Sequence, residues 1–159
     1  MNVEERGQSV SDKWDRRFVD LARYVASWSK DPSTKTGAVI VDDYNRIVSV
    51  GYNGFPRGIR DDEERLSNRD VKLSLMVHCE INAIIFAGGR ALGGTLYTWP
   101  LASCDRCAAV VIQAGVRRIV APSLSRLLEK RWVTSVLNAI NMFNEAGIVV
   151  TLIEEGDKW

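Results

Sequence analysis

The chain has 159 residues, of which 46% are hydrophobic and 26% charged. These proportions fit a globular chain with a buried core and exclude disorder, a fibrous repeat and a coiled coil. Its 21 basic and 20 acidic residues leave a net charge of +1, which argues against general nucleic-acid binding, where a basic excess is needed.

Residues 1–10 read as a flexible arm. Ser11 and Asp12 supply N-cap chemistry. Trp14, Phe18, Leu21, Val25 and Trp28 then recur at helical spacing through Ser29, a stripe that predicts a core-facing helix. Asp31-Pro32 ends it. Gly37 to Val41 is a short apolar run, Asp42 to Asn45 is turn chemistry, and Ile47 to Tyr52 is a second strand, so 37–52 reads as a hairpin. Asn53 to Lys72 is long, polar and rich in Gly, Arg and Asp, and reads as a loop of functional length. A helix is predicted over Val77 to Ala87, stopped by Gly88-Gly89. There follow a strand over Thr95 to Trp99, a helix from Cys104 to Ala114 and a strand over Arg117 to Ala121. A helix over Ser135 to Glu145 and a strand over Ile148 to Ile153 complete the series.

No repeat or Pro/Ser-rich linker interrupts the chain, so 1–159 reads as a single domain. The α-β-β-α-β-α-β-α-β order predicts an α/β fold with five strands. One antiparallel hairpin is followed by parallel strands, giving a mixed sheet with helices on both faces.

Three cysteines and one histidine are the sparse residue types. An odd number of cysteines cannot close completely into intrachain disulfides. Met1 to Gln8 lacks the apolar core of a secretory signal, and no apolar run nears the ~20 residues of a membrane span. A reducing, cytoplasmic setting without membrane attachment is therefore expected, and there Cys and His together point to metal or catalysis. His78 opens one predicted helix, and Cys104 and Cys107 open the next. Two cysteines on one turn plus one histidine make three ligands and leave a fourth position open, as in catalytic zinc sites. Thiolates at helix starts are favoured by the dipole, and Glu80 lies two residues past His78, placed to move a proton. A redox Cys-x-x-Cys pair and a structural zinc with Cys79 as fourth ligand are the alternatives. Consecutive helical residues diverge by ~100°, which makes ligation by both His78 and Cys79 awkward.

The chain resembles the deoxycytidylate (dCMP) deaminases of the zinc cytidine deaminase superfamily from about Trp14 to Ile153. The segments that carry the likeness are Lys30 to Thr34, Gly37 to Val41, Gly51 to Pro56 (Gly-Tyr-Asn-Gly-Phe-Pro) and His78 to Ile84. Cys104-x-x-Cys107 and Gln113-Ala-Gly115 add to it. It departs from that pattern in two places. Cys79 stands where the family usually has Ala, and Pro100 stands four residues ahead of Cys104 rather than next to it.

The resemblance implies a three-layer α-β-α sandwich around the five-stranded sheet. It implies one zinc ion per chain on His78, Cys104 and Cys107, with Glu80 as general acid/base for hydrolytic attack at C4 of cytosine. The product would be dUMP, supplied for thymidylate synthesis. Asn53 matches a sugar- or base-contacting Asn, and it equally suits a turn. The Cys79 backbone N–H is expected on the base carbonyl, and Ser33, Lys35 and Arg57 are the candidates for the phosphate. A homo-oligomer and regulation by dCTP and dTTP around Asn53 to Arg60 are also implied. Related substrates (dCTP, CMP or 5-modified dCMP) and a non-catalytic zinc-stabilised nucleotide-binding module are the competing readings.

Overall fold

The computed structural model describes residues 3–124 and 130–154. Helix α1 (Val3–Ala26) is followed by strands β1 (Gly37–Val41) and β2 (Ile47–Tyr52). Helices α2 (Glu63–Ser67), α3 (Arg69–Leu75) and α4 (Cys79–Ala87) come next, then a 3₁₀ turn over Gly88–Ala91. The remainder is β3 (Thr95–Trp99), α5 (Asp105–Gln113), β4 (Arg118–Pro122), α6 (Lys130–Glu145) and β5 (Val149–Ile153). No helix among the described residues is long and apolar enough to cross a membrane.

The five strands form one sheet in the order β2-β1-β3-β4-β5. β1 pairs antiparallel with β2 on one side and with β3 on the other, while β3–β4 and β4–β5 are parallel. This is the expected mixed sheet. Its central strands are buried on both sides, and successive residues alternate between two cores. Ala38, Ile40, Leu96 and Ile119 face a core completed by Ala83 of α4, Val111 of α5 and Phe143 of α6. Val39, Val41, Tyr97 and Val120 face a second core completed by Phe18, Val19 and Ala22 of α1. α1 therefore covers one face and α4, α5 and α6 the other, which makes three layers. Asp15 fastens α1 to the sheet: it accepts from the Tyr97 hydroxyl at 2.9 Å and takes both Arg118 nitrogens at 2.8 and 2.6 Å. Burial, then the neighbouring Asp15 charge, pushes the Tyr97 phenol well above its ordinary range.

Three boundaries differ from the sequence reading for identifiable reasons. α1 begins at Val3 rather than at Ser11, and Met1 and Asn2 lie outside the described residues. The polar segment expected as a loop contains α2 and α3. Asp62 accepts from the Arg65 N–H and Asn68 from the Val71 N–H, so side-chain caps start both helices. α6 begins at Lys130, five residues ahead of Ser135. The Ser135 hydroxyl instead serves the neighbouring helix, accepting from the Asp105 N–H at 3.1 Å and donating to its carboxylate at 2.9 Å.

Two glycines fix how closely the layers approach. A Cβ on Gly37 would sit 2.0 Å from the Ala22 carbonyl oxygen of α1. One on Gly51 would sit 2.4 Å from the Cys79 carbonyl oxygen and 2.5 Å from the Ala83 nitrogen. The second contact presses the first turn of α4 against the end of β2, where the site begins.

Candidate active site

α4 follows β2 and α5 follows β3, so both helices start beyond the carboxyl ends of their strands, the usual place for ligands in α/β sheets. The segment between β2 and α4 is closed at its base by two backbone hydrogen bonds joining Gly54 and Val77, at 2.8 and 3.1 Å. His78 is then the N-cap of α4, with extended backbone, and Cys104 is the N-cap of α5. The Cys104 sulfur accepts from the Cys107 N–H at 3.5 Å, His78 makes no capping bond, and the two side chains converge. The His78 Nδ1 atom lies 3.5 Å from the Cys104 sulfur and 3.2 Å from the Cys107 sulfur. All three atoms fall within 4.8 Å of one another.

These separations fit a metal. A tetrahedral zinc with bonds of about 2.1 Å to nitrogen and about 2.3 Å to sulfur sets such ligand atoms about 3.5 Å apart. The protonation pattern also asks for a cation. The hydrogen bond from Cys107, with further help from His78, lowers the Cys104 thiol to about 4. The same contact, with burial, pushes the Cys107 thiol far up. His78 is raised, chiefly by its hydrogen bond with Cys104 and then by the Glu80 and Cys104 charges. Two thiolates crowd each other without a positive centre between them.

Glu80 is buried on the first turn of α4. The Cys79 thiol donates to Glu80 Oε2 at 3.3 Å and is held protonated by burial and then by the Glu80 charge. The metal-fit group among the described residues contains His78, Cys104 and Cys107 without Cys79. The Cys79 thiol is instead turned to Glu80.

These groups open onto a cavity of about 620 Å³, within the usual range for small-molecule sites. His78, Cys79, Glu80 and Cys104 line it together with Asn53 and Ser33. Its apolar wall includes Trp99, Leu101, Leu73 and Trp132. Asn53 is 5% exposed and its side chain is engaged internally. Its Oδ1 accepts from the Thr36 N–H at 2.8 Å, and its Nδ2 donates to the Thr34 carbonyl at 2.9 Å and to Asp31 at 3.4 Å. It shapes the loop that leads into β1.

Lys35 and Arg57 are exposed and do not line the cavity. Three other cations do: Arg69 and Lys72 of α3, and Arg106 of α5. Sequence reasoning missed all three. Arg106 lies inside the Cys-x-x-Cys motif, and Lys72 closes the polar segment already marked as functional, so the signals were position rather than residue type. Asp31, which ends the first predicted helix and belongs to the Lys30 to Thr34 segment, has a further role. It accepts from the Ser33 and Thr34 N–H groups at 2.8 and 3.2 Å and from Lys72 at 2.9 Å.

Residues 12–123 match the family described as the cytidine and deoxycytidylate deaminase zinc-binding region. The chain belongs to this family. Among its relatives is an uncharacterised deaminase in the luxG 3′ region of Aliivibrio fischeri, 40% identical over 139 residues, covering 87% of this chain and 92% of that one. A probable deoxycytidylate deaminase of Drosophila melanogaster is 38% identical and the human deoxycytidylate deaminase 35%. The matches cover 67% and 68% of this chain but only 58% and 64% of those two proteins. The fold is shared with dCMP deaminase from the cyanophage S-TIM5, solved with dCMP and dUMP, at a TM-score of 0.67 and 20% identity over 96% of this chain and 99% of that one. Membership makes zinc the cofactor, and the donor set of His78, Cys104 and Cys107 fits it.

Proposed function

We propose that this chain hydrolyses the exocyclic amine of dCMP, giving dUMP for thymidylate synthesis and ammonia. The observation that carries the reading is the convergence of His78, Cys104 and Cys107, with His78, Cys104 and buried Glu80 in the wall of one cavity. The names of the relatives and the nucleotides in the cyanophage structure support the choice of substrate.

His78, Cys104 and Cys107 hold one zinc ion per chain. Zinc bound there would supply Lewis acidity that lowers the pKa of water. Glu80 takes a proton from the attacking water, passes one to N3 of the ring and assists the departure of ammonia. The Cys79 thiol steadies the Glu80 carboxylate. The first N–H groups of α4 have no intrahelical acceptors, and that of Cys79 donates to the base carbonyl. Ser33 contacts the substrate, and Asn53 acts by holding the Asp31 to Thr36 loop in shape.

The reading extends to a single domain over 1–159 in a reducing, cytoplasmic setting, which the three free cysteines support. It includes a homo-oligomer, supported by an α4 that is apolar on all sides yet leaves Ile85 and Phe86 64% and 53% exposed. Light scattering reads that state, and a monomer would remove it. It also includes control by dCTP and dTTP near Asn53 to Arg60.

The test is ammonia release and product chromatography on zinc-loaded protein with dCMP, CMP, dCTP and 5-modified dCMP, each with and without dCTP and dTTP. dUMP is the expected product. No turnover of dCMP overturns the proposal, preferential turnover of another nucleotide moves the substrate, and identical rates with and without effectors remove the regulation.

A further inference from the structure

Lys72 is an unusual residue to find buried: its side chain is 9% exposed, and it faces the cavity. Its ammonium donates to Asp31 Oδ1 and to the Ser33 hydroxyl, both at 2.9 Å. An ammonium has three N–H donors, and the third has no acceptor among the described residues. A buried charged donor left without an acceptor is costly, so a ligand oxygen is the natural partner.

Arg69 lies one turn earlier, exposed, lining the same cavity and in no ion pair among the described residues. Arg69, Lys72, Leu73 and Met76 all line the cavity. Their spacing is that of a single helix face. Asp31 fixes the geometry from below, because the carboxylate oxygen that takes Lys72 also takes the Ser33 and Thr34 N–H groups. The ammonium and the Ser33 hydroxyl are thus held in register by one carboxylate.

The cavity carries three cations, Arg69, Lys72 and Arg106, against two carboxylates, Asp31 and Glu80. Asp31 is committed to Lys72, and Glu80 stands beside the metal ligands. Arg106 belongs to the metal end, on the first turn of α5 between Cys104 and Cys107. That leaves Arg69 as an unneutralised cation next to a built ammonium–hydroxyl pair.

We propose that Arg69, Lys72 and Ser33 form an anion subsite that takes the phosphate monoester of the nucleotide. The inference rests on the nucleotide-deaminase reading above. A monoester carries close to two negative charges near neutral pH and three acceptor oxygens, matched by an arginine fork, an ammonium and a hydroxyl. The subsite sets preference for nucleotide over nucleoside, and Lys35 and Arg57 take no part.

The test compares dCMP with deoxycytidine as substrates, and dUMP with deoxyuridine as ligands, the latter read by the fluorescence of Trp99 and Trp132. Arg69→Ala, at an exposed position, should lower the dCMP-over-deoxycytidine preference in kcat/KM by about tenfold or more, mainly through KM, as loss of a charge-assisted contact does. Arg69→Lys should restore part of it. Lys72→Met should act in the same direction, and Arg69→Ala keeps the inference testable if that variant misfolds. An unchanged preference in Arg69→Ala, or a preference lost in Arg106→Ala instead, overturns the subsite. If the native protein turns over neither substrate, the deaminase reading fails, yet dUMP against deoxyuridine still reads the subsite. Equal binding of those two ligands by the native protein overturns it.

Discussion

Glu80 and His78 are two residues apart, yet they are placed differently because the backbone changes between them. His78 is the N-cap, with ψ of 156°, and sends its ring out toward the cysteines of the next helix. Glu80 is already in the helix and is buried beside the same cavity. Among the described residues its carboxylate accepts from the Cys79 thiol, a weak donor. Glu80→Gln keeps the shape and removes the proton acceptor. We expect zinc content to stay at one per chain while kcat falls by about 10²–10⁴, the usual worth of a general acid–base group. Elemental analysis alongside steady-state rates checks this, and a variant with native kcat would remove Glu80 from the reaction.

The elements that place these side chains were largely legible in the sequence. The strands read at 37–41, 95–99 and 117–121 became the central strands, the last shifted by one residue to 118–122, and glycines ended the helices as expected. The metal trio was legible because cap positions and the Cys-x-x-Cys spacing are local features. The α3 cations were not, since Lys72 meets Asp31 across 41 residues of chain and no periodicity links them. Asn53 was legible as a site position but not in its role, which depends on Thr34 and Thr36 folding back over it. The element contact that matters most for the site is α4 on β2 at Gly51. Gly51→Ala drives a methyl into the Cys79 carbonyl and the Ala83 nitrogen, both backbone atoms with little room to give. Overpacking of this kind costs about 1–3 kcal/mol. Gly54→Ala is the control, because its nearest neighbour would be a Tyr52 ring carbon at 3.9 Å. Thermal denaturation should show a fall of several degrees for Gly51→Ala and little change for Gly54→Ala. Equal melting temperatures would mean that α4 can slide on β2.

On the scale of the whole molecule, a near-zero net charge conceals a strongly polarised interior. The +1 total is nearly neutral, yet one end of the sheet gathers His78, two thiols and Glu80 around the starts of two helices. Zinc there ties α4 to α5, two elements otherwise joined through the core, so the metal should stabilise the fold in proportion to its binding. The proton balance of that binding follows from the metal-free site. Cys104 is lowered to about 4 by its Cys107 and His78 contacts and is a thiolate at neutral pH. Cys107 is pushed up and carries its proton, while His78 is raised above its ordinary value, which favours its charged form. Zinc needs both as unprotonated ligands, so its binding must expel the Cys107 proton and the His78 share. The signs in the two forms are opposite. Without metal, the raised His78 contributes stability that is present at pH below its unfolded value and fades as pH rises through its folded value. With metal, protons compete for His78, so the stabilisation by zinc shrinks as pH falls. Zinc titration calorimetry near pH 7 in buffers of different ionisation enthalpy should therefore report about one to two protons released per zinc. The melting-temperature difference between zinc-loaded and chelated protein should narrow on acidification. Release of no proton would show that Cys107 does not bind as a thiolate, and a difference that widens toward acid would remove His78 from the ligand set.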